Sequence, residues 1–378
     1  MKILEIGTLN IKHGGPPFSM SRQMYGLKMN GVDSMCLMPE CEEADIIDPS
    51  LEYSFTKPVI SLGRYSFIPD VDETLSKQND VDLIHIHGVW DYYQHSVARY
   101  AREKGIPYVI APRGALYGRA IREKSYIKKR LAWFIYQKQD LDKADCVQAT
   151  CWEEMLAVRE LGCKTPIAII PNSYDVDFIK RGTYTKCDEF TIGYLGRLHP
   201  RKHVEKLLYA LKELKNRGKK AKLIIIGSDN SQYEDYLKEE TKRVKLGESV
   251  NFSGFLRGDA LDAEIRKCHI FAFPSDYENW GNVVPDVLVR EIPVITSKGM
   301  PWKILEEKRC GWWIDVNQDI LNRTLLQAYE MDINELEEMG KRGRTLVEEK
   351  FSVGPIGSKI KELYTWILEG GVKPDFVY

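Results

Sequence analysis

The sequence predicts an α/β protein built from two doubly wound domains with parallel sheets. Three observations carry this. Short, unbroken apolar runs alternate with longer amphipathic stretches, the pattern of strands buried on both faces and of helices that cover them. The alternation stops at a polar break, Lys180–Glu189, and then restarts. The chain has 378 residues, 43% of them hydrophobic, enough for two cores at roughly 100–200 residues per domain.

In chain order, Lys2–Ile6, Leu83–Ile86, Tyr108–Ile110 and Ala168–Ile170 read as strands of the first domain, with helices over Ser19–Met29 and Tyr92–Lys104. After the break, Phe190–Tyr194, Leu223–Ile226, Val250–Phe252, Ile270–Phe273 and Pro293–Thr296 read as strands, and Lys202–Arg217 and Gln232–Lys245 as helices. The expected domains are 1–180 and 185–355. Beyond the Gly354-Pro355 punctuation, Ile356, Ile360, Leu363, Tyr364, Ile367 and Leu368 recur at helical spacing. The segment 356–378 is expected either as the last helix of the second domain or as one that packs back on the first. Ligands of such sheets bind beyond the carboxyl ends of the strands, and two sheets in one chain point to the cleft between them.

Composition excludes several classes of function. A formal net charge of −1 gives no global pull toward nucleic acid or an anionic membrane, so any such attraction must be local. The eight cysteines are scattered without a C-x-x-C pair, which argues for buried free thiols rather than a zinc site. The first apolar run is short and broken by Glu5, unlike a signal h-region. No apolar stretch reaches the roughly 20 residues that span a bilayer. The expectation is a cytoplasmic protein.

Four segments, each just after an expected strand, can carry chemistry. In the first, Gly14 and Gly15 of His13-Gly-Gly-Pro16 let backbone N–H groups approach a phosphate or sugar; an ordinary tight turn is the plainer alternative. In the second, Ile84-His-Ile-His87-Gly88, alternation puts His85 and His87 on one side. His87 stands at the strand end where a side chain meets a ligand, and His85 is expected to be buried structure. The third, Gly196-Arg197-Leu-His-Pro-Arg-Lys202, opens a helix with three cations. Fixed cations and a helix N-terminus stabilise the charge that develops on a departing diphosphate, Arg197 as a bidentate grip and Lys202 as a point charge. The fourth runs from Ser275 to Asp286. There Glu278 can accept from sugar hydroxyls, the amides of Asn282 and Val283 open a helix, and Asp286 lies about a turn into it, within reach of ribose hydroxyls. A solvated basic loop and an acidic loop before a capped helix are the plainer alternatives.

Taken together in this order, these segments resemble the retaining glycosyltransferases of the GT4 family, whose GT-B fold sets two Rossmann-like domains across an interdomain cleft. The family's Glu-x7-Glu pair falls on Glu278 and Asp286, its Gly-Arg-Leu-x-x-x-Lys element on Gly196-Arg197-Leu198 and Lys202, its Gly-Gly element on Gly14-Gly15 and its His-Gly element on His87-Gly88. The segments Asn279–Val284 and Pro293–Trp302 are similar to those of members that build bacterial capsule and lipopolysaccharide. Three departures stand out: Asp286 replaces the second Glu, Val287-Leu-Val-Arg-Glu291 replaces Ala-Leu-Ala-x-Gly, and Asn172-Ser173 replaces Asn-Gly.

The resemblance implies transfer of a sugar from a nucleoside diphosphate sugar, UDP- or GDP-linked, to a hydroxyl of a glycan or lipid-linked glycan. His87 and Glu278 are then the catalytic candidates. Gly14, Gly15, Arg197, Lys202, Glu278, Asn282, Val283 and Asp286 are the donor-binding candidates, and Arg113 is the acceptor-side candidate. No cofactor is expected beyond the donor. No catalytic metal is expected either: Asp80-Val-Asp82 and Asp175-Val-Asp177 lie away from the donor motifs, and Arg197 and Lys202 supply positive charge. A nucleotide-sugar epimerase and a non-catalytic nucleotide- or glycan-binding subunit are the alternative readings. Finally, Gly118–Lys138 reads as a helix bearing Arg119, Arg122, Lys124, Lys128, Lys129 and Arg130, followed by Leu131, Trp133, Phe134, Ile135 and Tyr136. Such a helix either buries one face or lets residues 119–136 rest on an anionic membrane surface.

Overall fold

The computed structural model describes residues 1–56, 60–62, 65–67, 71–78, 80–123, 125–181, 187–228 and 232–378. Lys124 and residues 182–186 of the polar break lie outside the described residues. The chain divides into two compact units, Met1–Asp175 with Phe351–Tyr378, and Val176–Lys350.

The strands of unit 1 are β1 (Lys2–Ile6), β2 (Asp33–Pro39), β3 (Tyr53–Thr56), β4 (Ile60–Leu62), β5 (Tyr65–Phe67), β6 (Leu83–His87), β7 (Tyr108–Ala111), β8 (Cys146–Ala149) and β9 (Ile167–Ile169). β4 and β5 pair as an antiparallel hairpin. The others form a parallel sheet in the order β3-β2-β1-β6-β7-β8-β9. Between them run α1 (Gly15–Met29), α2 (Val71–Ser76), α3 (Tyr92–Lys104), α4 (Gly118–Glu123), α5 (Tyr126–Ala132), α6 (Lys138–Asp142) and α7 (Trp152–Glu160). α3 shows how the local sequence sets its ends. Asp91 and Gln94 form a capping box, and Gly105 closes the helix in the left-handed conformation.

Unit 2 holds β10 (Phe190–Leu195), β11 (Ala221–Ile226), β12 (Val250–Gly254), β13 (Ile270–Phe273), β14 (Val294–Ser297) and β15 (Gly311–Ile314). They pair in parallel in the order β12-β11-β10-β13-β14-β15. Its helices are α8 (Val204–Asn216), α9 (Gln232–Arg243), α10 (Gly258–Arg266), α11 (Val283–Leu288), α12 (Ile304–Glu307), α13 (Gln318–Glu330) and α14 (Ile333–Leu346). The chain then returns to unit 1 as α15 (Val353–Glu369).

Strand alternation sorts the unit 1 core into two layers. Leu4, Ile6, Ile84, Ile86, Ile110 and Val147 join the layer under α3. Ile3, Leu83, Val109, Cys146 and Ala168 join the other, where Leu27 of α1 and Ile356, Ile360, Leu363 and Tyr364 of α15 cover them. α1 and α15 touch backbone to backbone. A Cβ on Gly26 would lie 2.5 Å from the Val353 carbonyl oxygen, and one on Gly357 would lie 2.3 Å from that of Gly26. Asn30 Nδ2 donates to the Gly354 carbonyl at 3.1 Å.

Two expectations change. Gly354 and Pro355 do not precede the last helix; α15 starts at Val353 and takes both into its first turn, where an amide has no intrahelical partner to lose. Nor is Gly118–Lys138 one helix. It breaks at Ser125, which adopts a left-handed φ of 55°, and continues through α5 into a π-helical turn over Trp133–Gln137. Its aromatic end splits accordingly. Tyr136 is buried and donates to the Trp90 carbonyl at 2.8 Å, and Trp133 packs on the core. Ile127, Leu131, Phe134 and Ile135 stay 74%, 57%, 72% and 72% exposed. Among the described residues no helix is long and apolar enough to cross a membrane.

Candidate functional site

In unit 2 the strand order reverses between β10 and β13. The loops leaving their carboxyl ends therefore flank the switch point where doubly wound sheets bind ligands. These loops are Gly196–His203 and Pro274–Asn282, and they are joined rung by rung. The Asp276 amide donates to the Arg201 carbonyl at 2.8 Å. Arg201 Nη1 donates to the Tyr277 hydroxyl at 3.3 Å, and its guanidinium lies 5.2 Å from that ring's centre. Lys202 Nζ pairs with the Glu278 carboxylate. His203 Nε2 lies 2.8 Å from Asp276 Oδ1, and its Nδ1 lies 2.9 Å from Glu205 Oε1. Behind them the Glu278 amide donates to the Gly299 carbonyl at 2.9 Å. A Cβ on Gly299 would lie 2.0 Å from the Asp276 carbonyl oxygen, so only glycine fits there.

The electrostatics follow from this pairing. Burial, with Arg201 and Arg197 nearby, pushes the Lys202 ammonium down to about 7. Contact with Glu278 favours its charged form. His203 is moved the other way: burial opposes its charge, but the bonds to Glu205 and Asp276 outweigh it and raise the imidazole above its usual value. Its left-handed φ of 52° is a conformation that histidine adopts more readily than most residues.

Thus two of the residues singled out from sequence, Lys202 and Glu278, are in direct contact. Arg197 is exposed on the same loop as Lys202, and its carbonyl accepts from the Tyr194 hydroxyl at 3.0 Å. Asn282 caps α11, Val283 opens it, and Asp286 is half-buried within it. The bulkier Val287-Leu288-Val289 is buried. Arg290, also buried, donates from Nε to Asp262 at 2.8 Å and from Nη1 to the Asp286 carbonyl at 2.5 Å. Glu291 takes a left-handed φ of 60°, so the backbone keeps the conformation that a glycine would adopt at lower cost. His203, Asp276 and Tyr277 complete the rungs. Sequence reasoning gave them no role of their own, although each lies within two positions of a residue that it singled out.

Unit 1 has its own switch point, between β1 and β6. Gly14 and Gly15 are exposed at the start of α1, the former with φ of 80°. His87 ends β6. Its ring stacks on His85 at 4.4 Å between centroids, as alternation predicts. Both His87 nitrogens are engaged, Nε2 with Glu5 and Nδ1 with Arg113 Nη2 at 2.8 Å. Arg113 also donates to Gln23 Oε1 at 3.0 Å and to Asn172 Oδ1 at 2.7 Å. Burial, and the Arg113 charge beside it, hold His87 well below its usual pKa; burial holds His85 down as well. Glu5 is pushed up by its own burial, against hydrogen bonding from Gln23 and the charge of Arg113. Ser173, the other departure from the family pattern, is not among the described residues with positive φ. The turn therefore does not require glycine.

Glu5, His85 and His87 are also the described residues that could together hold a metal ion, with ligand atoms all within 4.8 Å of one another. A cation there would stand close to the Arg113 guanidinium, and the hydrogen bonds already made account for Glu5 and His87. The signal for Glu5 was present in the sequence: it is the one charge in the apolar run Ile3–Ile6 of β1.

Comparison with known proteins agrees with the two-sheet architecture. Residues 175–346 match glycosyl transferases group 1, and residues 53–173 match the glycosyl transferase 4-like domain. The chain is 29% identical over 187 residues to the capsular polysaccharide biosynthesis glycosyltransferase CapM of Staphylococcus aureus, covering 48% of this chain and 47% of CapM. It is 30% identical over 143 residues to a GDP-mannose-dependent alpha-mannosyltransferase of Mycolicibacterium smegmatis, covering 36% and 33%. The matches thus span half the length of these relatives or less. Among solved structures, Anabaena HepE in complex with UDP superposes with a TM-score of 0.76 at 19% identity, over 97% of this chain and 100% of that one. That likeness establishes the GT-B fold.

Proposed function

Because the chain belongs to the GT4-like glycosyltransferases, we propose that it moves a sugar from a nucleoside diphosphate sugar to a hydroxyl of a glycan or lipid-linked glycan acceptor, with retention of configuration. The observation that carries this reading is the contact of Lys202 with Glu278 at the switch point of unit 2. A cation and a carboxylate held in register there match the two ends of a sugar diphosphate. The cation takes the phosphate oxygens and the carboxylate takes sugar hydroxyls, each replacing the other as partner when donor binds. HepE, solved with UDP and with UDP-glucose, supports a UDP-linked donor. The mannosyltransferase relative supports a GDP-linked one.

In the proposed reaction the acceptor oxygen attacks the anomeric carbon on the face from which the diphosphate leaves. The bond from that carbon to the phosphate oxygen breaks, and the acceptor proton passes to the departing phosphate. Lys202 and Arg197 offset the charge that develops, Glu278 orients the sugar, and Asp286 takes the ribose. With Lys202 and Arg197 in that role, the proposed reaction needs no divalent metal. A lipid-linked acceptor would be met at a membrane. The stripe Ile127, Leu131, Phe134 and Ile135, flanked by Lys128, Lys129 and Arg130, is suited to rest on an anionic membrane surface.

A thermal-shift screen of nucleoside diphosphate sugars tests the donor assignment, since a ligand of the native state raises the midpoint by mass action. The hit is then expected to be transferred to acceptor with its anomeric configuration kept, undiminished by EDTA, and Lys202→Ala should lose most of that turnover. Epimerisation of the donor without acceptor, or binding with neither transfer nor hydrolysis, would reject the reading.

A further inference from the structure

Glu5 lies inside an apolar strand and is fully buried, a position where a carboxylate persists only if it is well bonded. Three donors converge on it: His87 Nε2, Gln23 Nε2 at 3.3 and 3.4 Å from its two oxygens, and the Tyr364 hydroxyl at 3.5 Å. Tyr364 comes from α15 and also stands 2.6 Å from His85 Nδ1. On the far side of the His87 ring, Nδ1 is 2.8 Å from Arg113 Nη2. A guanidinium only donates, so that nitrogen must be bare and the ring's single proton must sit on Nε2, facing Glu5. The order of donation is then fixed, from Arg113 to His87 to Glu5. Bonds to Gln23 and Asn172 hold the same guanidinium from two further sides. They leave it donors to spare, since arginine carries five N–H groups.

We propose that Glu5 is a positioning residue: by accepting from His87 it locks that ring as the Nε2–H tautomer, whose bare Nδ1 aims the Arg113 guanidinium at an oxygen-bearing ligand. Arg113, not His87, is then the polar group that unit 1 offers to substrate, and His87 acts through it. Gln23 and Tyr364 are accessory donors that keep the carboxylate in place. The part played in transfer rests on the proposed function, whereas the ring lock does not.

The test is the side-chain nitrogen spectrum of the full chain labelled with 15N-histidine, with His87 assigned by its loss in His87→Asn. The expected pattern is Nε2 protonated and Nδ1 bare, unchanged from about pH 8 to about pH 6, where a free histidine titrates. Glu5→Leu is expected to release the ring, giving mixed tautomers or a second proton as pH falls. Glu5→Gln, which still offers an oxygen, is expected to restore the lock. In transfer, Glu5→Leu should lower kcat/KM by about a hundredfold, the scale of a small misplacement, and Glu5→Gln by much less. A wild-type ring protonated on Nδ1, or doubly protonated at neutral pH, overturns the assignment even if Glu5→Leu fails to fold. So does the wild-type pattern in a folded Glu5→Leu. The expected spectra in a chain that transfers no sugar would instead keep the lock and reject the glycosyltransferase reading.

Discussion

Lys202 and His203 are neighbours in sequence and are moved in opposite directions by their surroundings. Burial and the nearby Arg201 and Arg197 lower Lys202 to about 7, and two carboxylates raise His203. In the proposed reaction Lys202 must be protonated to hold the diphosphate. The free enzyme's kcat/KM is therefore expected to fall as pH rises through about 7. Lys202→Arg, charged at every accessible pH, should abolish that fall whatever it costs in rate; a pH–rate profile in which the decline survives the substitution would assign it to another group. At this scale, local pattern made Lys202 and Glu278 legible, because each follows a strand end within a recognisable string. Gln23 and Tyr364 were not legible. Their partners are supplied by the topology, and the Tyr364 to Glu5 bond spans 359 residues.

The elements were read best where their composition is uniform. β13, Ile270–Phe273, and α3, Tyr92–Lys104, match the sequence reading residue for residue. β2 begins Asp33-Ser34, the aspartate exposed, and β8 contains Gln148, buried with its Nε2 donating to the Ile170 carbonyl at 3.3 Å; these polar residues interrupt the apolar signal. Contact between α1 and α15 also belongs to this scale. With backbone oxygens 2.3 and 2.5 Å from the Cβ positions of Gly357 and Gly26, neither helix can yield by a rotamer change. Gly357→Ala is expected to destabilise the protein by about 2 kcal/mol, as overpacking does. It should also pull Tyr364 away from His85. Denaturant unfolding reads the first effect, and a wild-type midpoint would mean that the helices separate at no cost.

For the whole molecule, the chain leaves unit 1 after Asp175, builds unit 2, and returns at Phe351 to complete the first core. Unit 1 is therefore finished only by the last residues of the sequence. The proposed attachment to a membrane belongs to this scale as well, since it would place the entire protein. The chain is expected to float with vesicles containing anionic lipid, and less so with neutral ones or at high salt, because screening weakens the basic contribution. Replacing Ile127, Phe134 and Ile135 together by Ser should reduce flotation severalfold. Equal flotation by that variant would place the contact elsewhere.

The sequence by itself determined that there are two doubly wound sheets, where the restart falls, and that cations and carboxylates follow β10 and β13. Hydrophobic periodicity and strand-end motifs are local properties, and they survive being read one segment at a time. Tertiary structure alone decided that 356–378 rests on unit 1, that Lys202 meets Glu278, and that Glu5 gathers three donors beneath His87. Each depends on which strands lie side by side and which helix covers which face, and those neighbours are fixed by the burial of the whole chain.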